Sequence, residues 1–345
     1  MKHLGIVSLF ATVLAACGSS VSAPSGSGTP EPTVNIGYFS GGVGAPETII
    51  GSNAKLAATV PAKLHMIPIT GGLAALSEMR SGAFDLVSEV GNPPVVSAAA
   101  GGTNLRIIWV QSFDGAALMV HANITSPSQL KGMTIGDLQG SSEDFELRGY
   151  LQEQGLTSST TVLGFPSDAA AGAAWQAGKI SAAYVTIDVA DSLAGNGAHQ
   201  MTTAAAIAKQ GFPSLNVLAA SSSFIAKYPS VVQSYVCAEL KATQMLTTGS
   251  AAERAAVIAP AAKLQGVPAS QAIAATEQWP NIPVSQERSW LVPNPSTGIT
   301  PVASAYDLTA NFLKQQGTLA SPPSTSTLSG LLDPSFALNA LAGKC

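Results

Sequence analysis

Two stretches, "MRSGAFDLV" (79–87) and "WQAGKISAAYV" (175–185), write the same unit twice. Each is the end of a helical pattern, a glycine that stops it, and an apolar run that reads as a strand. The stopping glycines, Gly82 and Gly178, lie 96 residues apart. Upstream of each helix stands a residue able to cap it, Thr70 in one copy and Ser167 beside Asp168 in the other. A strand, a capped helix, a glycine and a second strand make one crossover unit of a parallel sheet. Two copies in 345 residues, about two domains' worth of chain, predict an α/β protein with two lobes of similar build.

The rest of the pattern fits around these copies. "TVNIGYFSGG" (33–42) is a strand and a glycine turn, and further strands are expected at 62–70, 83–90 and 105–112. "GNPP" (91–94) reads as a turn. From 117 the scheme restarts, with strands at 117–122, 133–138, 160–166 and 180–186, before "LNVLAAS" (215–221) returns. The expected lobes are therefore 34–116 plus 219–345, and 117–218. After 222 the pattern is helical, and the Ser- and Pro-rich tail "SPPSTSTLSGLLDPSF" is expected to wrap the surface. In open α/β sheets ligands sit beyond the carboxyl ends of the strands. Two lobes facing each other by those ends make a cleft that can hinge shut on a small molecule.

The N-terminus reads as an export signal. Met1-Lys2-His3 is a short positive head, and "LGIVSLFATVLAA" (4–16) is an apolar run too short to span a bilayer. "LAAC" (Leu14–Cys17) matches a bacterial lipobox, so residues 1–16 are expected as a signal peptide and Cys17 as the lipidated residue. Residues 17–33 then tether the folded part to the membrane. The expected location is extracytoplasmic, at a bacterial cell membrane. In that setting Cys237 and Cys345 are expected to pair, a disulfide stapling the tail to a helix; the alternative is two unpaired thiols.

Several classes are disfavoured. Charged residues make up only 10% of the chain, the net charge is −4, and the basic residues are scattered, so nothing suggests nucleic acid. There is no GxSxG, HExxH or P-loop, and no Cys/His cluster of metal-ligand spacing. His3, His65, His121 and His199 are dispersed. No enzyme, cofactor or metal is expected. What the chain does offer is anion-friendly helix starts, Gly71-Gly72 after Thr70 and Ser141-Ser142 after Gly140, where backbone N–H groups meet the positive pole of a helix. The competing reading is that Thr70 and Ser141 only cap their own helices.

The motifs "VNIGYFSG", "ITGGLAALSEMRSGAFDLVSEVGNPP", "AAWQAGKISAAYV", "GFPSLNVLAASSSFIAKYPSVV" and "LTANFLKQQG", in that order, resemble the taurine and aliphatic-sulfonate binding proteins of ABC importers. Nitrate- and thiamine-precursor-binding proteins share that broader fold. The resemblance spans about 34–317 and leans to the taurine branch. It implies a type II periplasmic-binding-protein fold and a monomer that hands a small anionic solute to an ABC permease. It also implies ligand contacts from Phe39, Ser40, Gly41, Thr70, Gly71, Gly91 and Asn92 in one lobe, and from Ser141, Ser142, Thr186, Asp188 and Asn216. The chain departs from the family at a neutral first loop, at Asn216 where the taurine type has Asp, and at Thr186 in place of a large aromatic. A neutral loop and Asn216 leave an ammonium without a mate, so the expected solute is a sulfonate-like or other small organic anion lacking a primary amine. Asp188 or Glu89 could supply that mate. A thiamine precursor or another heteroaromatic or carboxylate solute, a non-transport lipoprotein and a secreted pyrimidine-synthase-like enzyme are the alternatives.

Overall fold

The computed structural model describes residues 31–39 and 44–345. The expected signal peptide, Cys17, most of the tether, and Ser40 and Gly41 lie outside the described residues.

Among the described residues, ten strands form two five-stranded sheets. In chain order they are β1 (Thr33–Phe39), β2 (Lys63–Ile69), β3 (Leu86–Val90), β4 (Leu105–Phe113), β5 (Ala116–His121), β6 (Thr134–Leu138), β7 (Thr161–Phe165), β8 (Ala182–Thr186), β9 (Ala198–Thr203) and β10 (Leu215–Ser221). The first sheet has the order β2-β1-β3-β10-β4 and the second β7-β6-β8-β5-β9. The two orders are the same pattern. The repeated units fill equivalent places: β2 and β3 flank β1 in parallel, and β7 and β8 flank β6 in parallel. Gly82 and Gly178, at φ 86° and 67°, close both helices in the left-handed region, which costs glycine nothing.

The sheets are mixed rather than wholly parallel. β10 runs antiparallel to β3 and β4, and β5 runs antiparallel to β8 and β9. These fourth strands are the ones that carry the chain between lobes. Only Asp114 and Gly115 separate β4 from β5, so the chain enters the second sheet without a crossover helix to restore its direction. The return strand joins the first sheet from Leu215, four residues before the expected boundary at 219, and the second sheet begins at Ala116. At the crossing, the Asp114 N–H donates to the Ser214 carbonyl at 3.2 Å and the Ile187 N–H to the Gly115 carbonyl at 2.8 Å.

The cores follow from strand burial. Ile36, Leu86, Val87 and Val217 are fully buried in the first sheet, and Leu118, Ile135 and Tyr184 in the second. Each such side chain contributes about 1.5–3 kcal/mol on leaving water. Two parts of the C-terminal region depart from the expected division. Phe312, on the helix Pro301–Gln315, packs edge-on against Phe145 of the second lobe, with ring centroids 5.1 Å apart. The tail does not merely wrap the surface: the Ile107 N–H donates to the Leu331 carbonyl at 2.8 Å and the Asp333 N–H to the Ile107 carbonyl at 2.9 Å. That pairing covers the outer edge of β4. Leu328 and Ala337 are buried with it. Cys345 is bonded to Cys237 of the helix Pro229–Thr247, with their Cα atoms 5.8 Å apart.

Candidate solute-binding cleft

A cavity of about 500 Å³ opens between the two sheets, lined from both lobes by strand ends and helix starts. Phe39 ends β1, Thr70 follows β2, Glu89 lies near the end of β3 and Gly91 follows it, Leu138 ends β6 and Thr186 ends β8. The lobes touch beside it. Gln278 Nε2 donates to Asp191 Oδ2 at 2.9 Å, joining the helix Ala269–Gln278 to the helix Ile187–Ala194. Trp279 lies against the crossing, where a β-carbon on Gly115 would come within 2.7 Å of its ring.

The helix starts on this cavity are not equivalent. Thr70 does not cap the following helix; Gly71 holds the cap position of Gly72–Arg80 and no side chain closes it. Gly71, Gly72, Leu73 and Ala74 all line the cavity, so an open positive helix pole faces the space. Ser141 instead caps its own helix, Ser142–Glu153, accepting from the N–H groups of Glu143 and Asp144 at 3.1 and 3.4 Å. Ser167 likewise accepts from the Ala170 N–H at 3.2 Å. Thr186 Oγ1 donates to Asp188 Oδ1 at 2.7 Å, fixing that carboxylate beside the cavity.

Of the residues anticipated from the sequence, Phe39, Thr70, Gly71, Gly91, Ser141, Ser142, Thr186, Asp188 and Asn216 come together on this wall. Asn92 does not. It is the first residue of a helix, Asn92–Ala100, rather than part of a turn, because prolines are accepted in a first helical turn. Its side chain is fully buried and fully used: Nδ2 donates to the Pro213 carbonyl at 2.8 Å and to Thr309 Oγ1 at 3.3 Å, and Oδ1 accepts from the Leu215 N–H at 3.1 Å. Asn92 thus ties the returning strand in place. Asn216 Nδ2 donates to Ser112 Oγ at 3.2 Å, and that hydroxyl donates to Glu89 Oε2 at 2.8 Å.

Beyond Glu89 and Asp188, sequence reasoning missed the extent of the wall's acidity. Glu47, Glu89, Asp114, Glu143, Asp168 and Asp188 line it, and no Lys, Arg or His does among the described residues. Burial is the largest influence on five of these groups and pushes their carboxyl pKa values up: Glu47 to about 7, and Glu89, Asp114 and Asp168 well above the usual carboxylate range. Neighbouring carboxylates add to the rise at Glu89 from Glu47 and at Asp114 from Glu143. Glu89 is the one non-glycine with a positive φ, 52°, among the described residues, a backbone form that costs free energy and aims its side chain off the regular strand. Glu89 and Asp188, the two acids that the sequence offers as mates for an ammonium, both stand on this wall. Single acids inside apolar runs, Glu89 in "AFDLVSEV" and Asp114 in "QSFDGAA", were the available signal.

Known structures share this architecture. The alkanesulfonate-binding protein SsuA of Xanthomonas axonopodis pv. citri, solved bound to MOPS, superposes with a TM-score of 0.69 at 22% identity over 88% of this chain and 99% of its own. The periplasmic aliphatic sulphonate binding protein SsuA of Escherichia coli gives 0.70 at 20% identity over 86% and 91%. The desulfurization enzyme DSZB gives 0.59 at 15% identity over 91% and 100%. No curated protein matches the sequence. The fold is the two-lobed α/β fold of type II periplasmic binding proteins. A family model matches residues 27–262, more than half of the chain, and this chain belongs to the NMT1-like family.

Proposed function

We propose that this protein is an extracytoplasmic solute-binding lipoprotein, held at a bacterial membrane through Cys17, that captures a small organic solute and delivers it to an ABC permease. The observation that carries the reading is the cavity of about 500 Å³ walled by strand ends and helix starts of two matching lobes. A solute touching both walls favours the closed arrangement over the open one, and that difference makes closure ligand-driven. The solute's acid group, sulfonate-like or carboxylate, sits at the uncapped start of the helix Gly72–Arg80. The sulfonate-binding names of two structural neighbours support that class. A heteroaromatic solute such as a thiamine precursor is the second reading, favoured by Phe39 and Trp279 on the wall.

The protein acts in this reading as a monomer and without catalysis; no Cys or His lines the cavity among the described residues. A thermal-shift screen over sulfonates, sulfate esters, carboxylates and thiamine precursors tests it. One class is expected to raise the melting temperature with concentration, since a ligand bound only to the folded chain stabilises it by mass action. A flat response across all classes contradicts the reading.

A further inference from the structure

The bond from Gln278 Nε2 to Asp191 Oδ2, 2.9 Å long, spans the two lobes beside the cavity and is no part of its wall. Both residues are exposed, and each stands on a rigid footing. Gln278 is the last residue of the helix Ala269–Gln278, and its Nε2 also donates to the Ala274 carbonyl at 3.4 Å. The chain after it is fastened to β4, which runs into the crossing. There the Phe113 N–H donates to the Pro280 carbonyl and the Ile282 N–H to the Gln111 carbonyl, both at 3.0 Å. Asp191 belongs to the helix Ile187–Ala194, which is anchored in the second lobe by buried Ala190 and Leu193.

The same two elements also reach the cavity. Asp188 and Val189, a turn before Asp191, line it, and so does Trp279, the neighbour of Gln278. A solute that touches these residues therefore bears on both ends of the bond. Glu277 is engaged elsewhere: it accepts from Arg254 Nε at 2.8 Å and Nη2 at 2.6 Å, within the first lobe. The group that faces Asp191 is thus a neutral amide, and an amide donor to a carboxylate makes a charge-assisted bond. Such a bond between rigid elements of two lobes exists at one separation of the lobes. It stabilises the closed arrangement and adds nothing to an open one, so it shifts the balance between them.

We infer that Gln278 and Asp191 form a clasp that holds the lobes together from outside the cavity and sets how long a captured solute stays. The clasp is weak by construction, a single exposed bond with a charge on one side only, so it slows release without locking the cleft. This assignment rests on the receptor reading above and adds to it a residue pair that does not touch the solute.

Stopped-flow release of ethanesulfonate and of butyrate tests it, with charge changes at Gln278. Gln278→Glu sets two carboxylates face to face and is expected to speed release about threefold to tenfold, as is Asp191→Ala, which removes the acceptor. Gln278→Lys makes an ion pair with Asp191 and is expected to slow release about threefold, a gain that shrinks with added salt. A change of charge beside the cleft also acts on an anionic solute directly, so each Gln278 variant is repeated in the Asp191→Ala chain. The clasp predicts that both effects vanish there, whereas a direct effect on the solute persists. Equal release from the wild type, Gln278→Glu and Gln278→Lys, or effects undiminished in Asp191→Ala, overturn the clasp and leave the receptor reading standing. No binding of either anion to the wild type overturns both.

Discussion

Gly91, the residue after β3, and Ser142, at the start of the helix Ser142–Glu153, meet across the cleft, so closely that a β-carbon on Gly91 would overlap the Ser142 hydroxyl oxygen. The backbone of Gly91, at φ −76° and ψ 174°, is one that any residue adopts, so the glycine is required by the approach and not by its own conformation. Gly91→Ala is expected to leave the melting temperature of the free protein nearly unchanged and to weaken solute binding about tenfold or more by propping the lobes apart. Ser142→Ala in the same chain removes the hydroxyl and is expected to restore most of the affinity. Calorimetry on the two variants reads both effects.

Gly71 gives the complementary case. A β-carbon there meets nothing within 4 Å, and its φ of −156° is extended backbone. Gly71→Phe therefore enters the cavity at the open helix start without straining the fold. The expected outcome is a stability change within about 0.5 kcal/mol, as for a surface substitution, and loss of solute binding. Paired denaturant and binding titrations separate the two quantities.

The buried acids make stability depend on pH. Glu47 is 1% exposed, and burial raises its pKa from 4.5 to about 7. Around it stand Glu239 of the helix Pro229–Thr247, Glu89 of β3, Ser88 and Gln111, with no basic group among them. The folded chain holds this proton more tightly than the unfolded chain. Its stabilising contribution is full below about pH 4.5 and is lost as the pH rises through about 7. Urea midpoints measured without solute should fall over that window. In Glu47→Gln, which cannot ionise, the fall should be smaller by about 1–3 kcal/mol.

The disulfide between Cys237 and Cys345 closes a span of 108 residues. Gln233 Nε2 donates to the Phe336 carbonyl at 3.0 Å on the same face, so the tail is also held by non-covalent contacts. Replacing Cys345 by Ser is expected to cost about 2–5 kcal/mol, chiefly by freeing the unfolded chain. Denaturation of the oxidised protein and of the variant measures it, and reduction of the wild type should reproduce the variant's value.

The parts of this fold legible in the sequence are local. A cap, a helix, a left-handed glycine and a strand are written within about twenty residues, and Ser167 and Gly178 do what that pattern implies. The direction of β5 and β10 was not legible, because pairing partners far along the chain set it. β9 was missed because "AHQMTT" has half-exposed polar positions and no apolar alternation. Asn92 was misplaced because "GNPP" suits both a turn and a helix start, and only the contact with Pro213 and Leu215 decides. The extent of the acidic wall was hidden for the same reason. Glu89, Asp114 and Asp168 are single acids in three distant segments, and their shared space exists only once the lobes face each other.

The central claim is one solute in one cleft, and native mass spectrometry tests it most directly. The tightest ligand from the thermal-shift screen is mixed with the wild-type chain and with Gly71→Phe. The account predicts a single one-to-one complex for the wild type and none for the variant. Equal binding by both chains, or a spread of several ligands per chain, would contradict it.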